Sequence, residues 1–144
     1  MKVFVCQSCG HIEFSSAPNN CPICWKPKEQ FKQNDNIFKE SMEKSKEAAV
    51  KHIPSVKVNK SCGLIPENTC TDIIIRIGEV LHPMTAEHYI NFIDVYQDGK
   101  YIQRLFLTPN VEPAGCIHLK NAKGKITVVE SCTIHGYWMT EQSI

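Results

Sequence analysis

Two cysteine pairs decide what the first thirty-five or so residues can become. Cys6-Gln7-Ser8-Cys9 and Cys21-Pro22-Ile23-Cys24 are C-x2-C pairs with eleven residues between them. A knuckle of this kind presents two thiolates to one ion, and two knuckles complete a four-sulfur tetrahedron suited to zinc or to a single iron. Gly10 supplies the tight turn that lets backbone amides approach sulfur. Phe4, Phe14 and Trp25 are the only large packing groups nearby. A unit this small cannot stand on its own core, so bound metal is expected to supply folding energy. His11 lies just beyond the first pair, but with four cysteines at hand it reads as a surface or strand residue and not as a ligand.

The composition narrows the setting. The chain has 144 residues, a net charge of +1 and 42% hydrophobic residues, which suits one ordinary domain or a small one joined to a medium one. That balance offers no basic field for nucleic acid, and lysine and arginine are scarce around the cysteine pairs. No apolar run approaches the roughly 20 residues of a membrane helix. Met1-Lys2-Val3-Phe4-Val5-Cys6 has no signal-peptide character. A cytoplasmic location is expected, with neither nucleic acid nor membrane as partner. In that compartment disulfides are disfavoured, and the eight cysteines are expected to be metal ligands or buried thiols.

Beyond residue 35 the text changes twice. Residues 36–50, Asn36 to Val50, are rich in helix formers of mixed charge, with Phe38, Met42, Ala49 and Val50 as a thin apolar stripe. They read as one linker helix, capped by Asn34, Asp35 or Asn36 and solvated along its charged face. From Lys51 onward the pattern is that of strands. Thr71–Ile77 is a β-branched run, Asn91–Tyr96 and Tyr101–Leu107 flank the hairpin signal Asp98-Gly99, and Cys116–Leu119 and Ile126–Glu130 flank a turn containing Gly124. The fold expected is mainly β: a small metal unit over 1–35, a helical linker over 36–50, and an immunoglobulin-like antiparallel β-sandwich over 51–144.

Five further donors sit beside strand-like runs of that sandwich: His52, His82, His88, Cys132 and His135. Pro83 stiffens the chain after His82, and Cys132-Thr133-Ile134-His135-Gly136 sets a thiolate and an imidazole in one short loop. Taken singly, a histidine at a strand edge is usually a surface group. Taken together, the five support a mixed imidazole and thiolate site for iron, copper or zinc. His118 is a lone histidine by this criterion and is set aside. Cys62, Cys70 and Cys116 fit no metal spacing and read as buried small thiols. Cys62 and Cys70 flank residues 63–69 and can lie close, but the sequence does not show a bridge between them.

Two resemblances sharpen this picture. Cys6-x-x-Cys9-Gly10-His11 and Cys21-Pro22-x-Cys24-x-x-Pro27-Lys28-x-x-Phe31 resemble the compact rubredoxin-like module of rubrerythrins. That resemblance implies one iron held by Cys6, Cys9, Cys21 and Cys24, with a structural zinc ribbon as the alternative. Lys51-His52-Ile53-Pro54, His82-Pro83-Met84-x-x-x-His88-Tyr89-Ile90 and Cys132-x-Ile134-His135-Gly136-x-Trp138 are similar to the superoxide reductases, the desulfoferrodoxins and neelaredoxins, in the family's order. The usual desulfoferrodoxin has adjacent cysteines in its second pair, whereas Cys21 and Cys24 are separated here.

The second resemblance implies a ferrous iron ringed by the imidazoles of His52, His82, His88 and His135, with Cys132 on the axis and the sixth position open. Superoxide would be reduced there to hydrogen peroxide, using an electron from a donor such as rubredoxin or an NAD(P)H-linked reductase. Lys51 would draw in the anion, and a dimer or tetramer would be usual. Many relatives carry a glutamate before that lysine, and this chain has Val50, so no carboxylate from residues 45–51 is expected on the iron. Two other readings remain open: a two-iron electron carrier without turnover of superoxide, and a zinc-ribbon interaction protein.

Overall fold

Alternation of apolar side chains writes the strands of the larger unit, and the computed structural model describes all residues 1–144. In β5 (Cys70–Ile77), Ile73, Ile75 and Ile77 are buried while Ile74 and Arg76 face outward. β5 lies between β4 (Pro54–Asn59) and β8 (Ala114–Lys120) in one antiparallel sheet. A second antiparallel sheet has the order β10-β9-β6-β7, from β6 (Ile90–Gln97), β7 (Lys100–Phe106), β9 (Lys125–Cys132) and β10 (Gly136–Ser143). The three-on-four arrangement is the expected sandwich, with Ile73, Ile75, Ile93, Val95, Ile117 and Val128 in the core between its sheets. Asp98 and Gly99 form the two-residue β6–β7 turn, with φ of 48° and 76°, the primed geometry that suits a right-handed hairpin. The Gly124 turn does something different. It joins β8 to β9, which lie in opposite sheets, so the chain crosses the sandwich there and makes no hairpin.

β6 and β9 are buried along nearly their whole length. A half-solvated sheet would alternate, so the outer face of these strands must also be covered. The N-terminal unit covers it. β1 (Val3–Cys6), flanked by β2 (Ile12–Phe14) and β3 (Phe31–Gln33), forms a small antiparallel sheet. Its Val3, Val5 and Ile12 make a second core with Tyr96 of β6 and Val129 of β9. The Tyr96 hydroxyl donates to the Ile12 carbonyl at 2.6 Å, and that of Tyr137 donates to the Gly10 carbonyl at 3.1 Å. The small unit therefore packs on the sandwich and shares apolar cover with it.

The segment expected as one helix is broken. α1 (Ile37–Lys44) ends at Ser45, whose φ of −143° and ψ of 52° leave the helical region. A short 3-10 turn over Lys46–Ala48 follows, then α2 (Ala49–His52). The reason lies in β10. Ser41 accepts a hydrogen bond from the Tyr137 amide at 3.0 Å, while the His52 ring stacks on Trp138 with centroids 4.9 Å apart. A straight helix would hold Ser41 and His52 roughly 16 Å apart, but neighbouring strand residues are separated by only about 3.3 Å. The break lets both reach adjacent residues of one strand. Nor does Asp35 cap α1: its carboxylate accepts from the Val3 amide at 3.0 Å and pins the start of β1. No helix is long and apolar enough to cross a membrane.

Candidate metal centres

The first centre is built by two similar turns. Cys6 closes β1, and Gly10, with φ of 77°, donates from its amide to the Cys6 carbonyl. Trp25 occupies the matching place after the second pair, also at positive φ (63°), with its amide on the Cys21 carbonyl. The four sulfurs gather within 4.8 Å of one another, with Cys6–Cys24 at 3.7 Å and Cys9–Cys21 at 3.5 Å. A tetrahedron with metal–sulfur bonds of 2.3 Å has edges of about 3.8 Å, so the spacing fits one four-thiolate ion. Burial and the neighbouring Cys21 thiol push the Cys9 thiol well up, so filling the site means exchanging thiol protons for a cation.

His11, expected as a surface or strand residue, is instead fully buried behind this centre. Its Nδ1 meets the Asp94 carboxylate at 3.0 Å and its Nε2 meets Glu13 at 2.9 Å. Arg104 binds Asp94 through two nitrogens, at 2.6 and 2.7 Å, and donates to the Cys9 carbonyl at 3.0 Å. No sequence spacing signals this network, because its members come from β2 and the residue before it, from β6 and from β7.

The second centre forms where α2, the loop after β5 and the β9–β10 turn meet. His52 Nδ1 donates to the Ala48 carbonyl at 2.7 Å, and His82 Nδ1 donates to that of Pro83 at 2.6 Å. Each bond leaves Nε2 free to face inward, and the two Nε2 atoms lie 3.1 Å apart. His88 Nε2 and His135 Nδ1 form the other edge at 3.2 Å. Ring orientations complete the figure. The pairs His52–His82, His82–His88, His88–His135 and His135–His52 are near perpendicular, at 81°, 81°, 71° and 86°, whereas His52 and His88 are close to parallel and 6.3 Å apart. His52 therefore stands opposite His88, and His82 opposite His135.

A square with metal–nitrogen bonds of about 2.1 Å has edges of about 3.0 Å, close to both measured edges. Cys132 Sγ is 3.5 Å from His82 Nε2 and 3.8 Å from His135 Nδ1. A sulfur on the axis of the square would be nearly equidistant from opposite corners, as these two distances are. Four of the five sequence candidates, His52, His82, His88 and Cys132, thus lie within 4.8 Å of one another, His135 adjoins them through His88 and Cys132, and no aspartate or glutamate joins the group. Glu47 is exposed, and the Val50 carbonyl accepts from the Val80 amide at 3.1 Å.

The electrostatics favour the ligating forms. Burial, reinforced by the neighbouring imidazoles, holds His52 and His82 down to about 4, so both rings are neutral. Burial pushes the Cys132 thiol up, while the amides of Ile134 and His135 point at its sulfur and oppose that rise. Lys51 is exposed, yet its charge is among the influences that lower His52 and His88.

A third group was missed in the sequence. His118 is not alone: its Nδ1 lies 2.8 Å from Asp72 Oδ1, 3.4 Å from Cys62 Sγ and 3.7 Å from Cys70 Sγ. Cys62 and Cys70 are buried thiols, as expected, and each in addition faces a polar ring. Cys116 is exposed, which corrects the same reading for that residue. The signal that finds the group is the β5–β8 register, in which Asp72 faces His118, and no spacing within the sequence encodes that register.

Known proteins share the first two centres' setting. The desulfoferrodoxin family model matches residues 42–141, and the model for the rubredoxin-like domain of rubrerythrin matches residues 4–32. A desulfoferrodoxin of Syntrophotalea carbinolica is 29% identical over 98% of this chain and 96% of its own. A superoxide reductase of Pyrococcus abyssi is 31% identical, covering 63% of this chain and 84% of its own. The solved superoxide reductase of Treponema pallidum superposes with a TM-score of 0.51 at 27% identity, over 65% of this chain and 68% of that one. With a match that takes in the whole His/Cys centre and nearly all of the sandwich, the chain belongs to the desulfoferrodoxin family of iron-binding oxidoreductases and carries a rubredoxin-like domain at its N-terminus.

Proposed function

We propose that the chain is a superoxide reductase, reducing superoxide to hydrogen peroxide with one electron and two protons and releasing no dioxygen. The observation that carries this reading is the gathering of four imidazoles, successive rings near perpendicular, around one cysteine sulfur. His52, His82, His88, His135 and Cys132 would hold one iron ion, and no aspartate or glutamate joins them. Iron held by these residues would supply one electron to superoxide.

The chain's own residues do the rest. The carbonyls of Ala48 and Pro83 fix the tautomers of His52 and His82, so the plane is set before substrate arrives. The Cys132 thiolate would donate electron density to iron held there, as a cysteine ligand does in haem proteins. Lys51, exposed beside His52, supplies local positive charge; with a net charge of +1, the molecule has no wider field to steer an anion. Protons come from water at the rim formed by the half-buried His88 and His135. The division of labour follows 1–35 as an electron-accepting iron domain, 36–50 as the joining helices and 51–144 as the reacting domain, with rubredoxin or an NAD(P)H-linked reductase as donor.

The test is to mix the reduced, iron-loaded protein with superoxide generated by pulse radiolysis. Rapid consumption with peroxide formed, no dioxygen released, and oxidation of the His/Cys iron supports the reading. Decay at the uncatalysed rate would overturn it in favour of a closed electron carrier. Lys51→Ala is expected to slow the reaction by about tenfold and to flatten its dependence on ionic strength.

A further inference from the structure

Cys62, Cys70, Asp72 and His118 lie at the far end of the sandwich from the His/Cys centre. Pro54, two residues after His52, pairs with Ile77 at one end of β5, and Cys70 begins the other end. Seven residue steps along the strand separate them, a distance of roughly 23 Å. The cluster is therefore separate from both centres already described.

Its construction is specific. Cys70 and Asp72 are two apart on β5 and so share the face opposite Ile73 and Ile75. Asp72 is the direct cross-strand partner of His118 on β8. Cys62 arrives from the loop after β4 and is anchored by its amide on the Cys70 carbonyl at 3.3 Å. Two ligands on one rigid strand, one on its neighbour and one on a tethered loop is a frame able to hold a fixed geometry.

The sulfur–nitrogen distances match a tetrahedral ion, while the 2.8 Å between His118 Nδ1 and Asp72 Oδ1 is a direct hydrogen bond that an ion would replace. With metal–sulfur bonds of 2.3 Å and metal–nitrogen bonds of about 2.05 Å, the sulfur–nitrogen edge is about 3.6 Å. The measured edges are 3.4 Å for Cys62 and 3.7 Å for Cys70, both to His118 Nδ1, and Cys70 Sγ to Asp72 Oδ1 is 3.9 Å. All four donor atoms lie within 4.8 Å of one another. His118 Nδ1 is the atom turned toward all three partners, so one ring nitrogen serves as the common ligand. Cys62 and Cys70 are both buried and not joined to each other. Two sulfurs, one imidazole and one carboxylate make a closed set of mixed softness, which suits zinc as a structural ion.

We propose that Cys62, Cys70, Asp72 and His118 bind one structural zinc ion that fastens residues 61–69 to the β5–β8 edge. Two thiols give up their protons on binding, and no change of oxidation state is involved. The proposal does not depend on the superoxide reductase reading.

Metal analysis of the full chain, purified anaerobically under reductant and supplied with zinc, tests it. One zinc is expected beside two irons. His118→Ala and the double variant Cys62→Ser/Cys70→Ser are expected to lose that zinc while keeping both iron chromophores. Should the double variant fail to fold, His118→Ala alone decides, since it retains both thiols. Cobalt offered in place of zinc to the iron-loaded protein should give the intense visible bands of a tetrahedral thiolate site, absent in His118→Ala. Zinc retained undiminished in His118→Ala, no third metal after zinc is supplied, or a Cys62–Cys70 bridge found by thiol trapping under these conditions would each overturn the proposal.

Discussion

At the scale of single residues, Glu130 is the anomaly. It lies on β9 two residues before Cys132, is fully buried, and neither carboxylate oxygen has a partner. Burial alone holds its carboxyl well above the ordinary value near 4.5. The folded form therefore keeps it protonated while the unfolded chain ionises it. With the folded value raised, stability is full below about pH 4.5 and is lost as pH rises toward the folded value. Over that span the loss approaches about 1.4 kcal/mol per pH unit. Glu130→Gln cannot ionise, so its stability advantage over the parent should widen between pH 5 and pH 8 in denaturant titrations. An advantage that stays constant with pH would show that the carboxyl does not change its ionisation on folding. Neutral Glu130 also spares Cys132, because a carboxylate there would push the thiol further up.

At the scale of elements, the contact between α1 and the start of β10 aims His135. Gly136 adopts a φ of 77°, and an added Cβ would lie 2.6 Å from Ser41 Oγ. Ser41 in turn donates to the Ile37 carbonyl at 3.1 Å and accepts from Tyr137. Gly136→Ala is expected to destabilise the chain and to shift the absorption of the His/Cys iron, leaving the four-cysteine iron unchanged. Ser41→Ala should cost about 1–2 kcal/mol, since the part-buried Tyr137 amide loses its acceptor. Combining the two should recover part of the Gly136→Ala loss, because the clash is relieved but the left-handed backbone is not. Strictly additive losses in the double variant would show that Ser41 and Gly136 do not meet. This contact also marks how far the sequence can be read. The β5 alternation and the Asp98-Gly99 hairpin are local patterns and are legible as such. So are the five donors of the His/Cys centre, through their motifs. The break at Ser45 is not legible, because residues 36–50 have helical propensity throughout and the reason for the break sits about ninety residues later in β10. The Asp72–His118 pairing is hidden for the same reason: it exists only once β8 chooses β5 as its neighbour.

At the scale of the molecule, the question is whether the rubredoxin-like domain stands alone or is part of the sandwich. Its own core is small, and Val3, Val5 and Ile12 are covered by Tyr96 and Val129. Beneath that cover lies an ionic hub with no exposure at Asp94 or His11 and only 2% at the Arg104 side chain. Asp94 holds Arg104 by two bonds and His11 by one, and Arg104 reaches the Cys9 carbonyl. Arg104 also lies 3.5 Å over the Phe92 ring, so its planar group is covered on one face as well as bonded through its nitrogens. Breaking a buried pair by removing one partner costs about 3–5 kcal/mol, because the other charge is left in place without compensation. Asp94→Asn should therefore destabilise the chain by an amount of that order. The damage should be directional. Arg104 and His11 both adjoin the first cysteine pair, whereas the His/Cys centre is held by α2, the loop after β5 and the β9–β10 turn. Loss of the four-cysteine iron to a chelator should become at least tenfold faster in Asp94→Asn, with the His/Cys absorption and its release rate unchanged. Equal acceleration at both centres would mean that the hub supports the fold at large, and unchanged release at both would mean that the small domain keeps its metal without help from the sandwich.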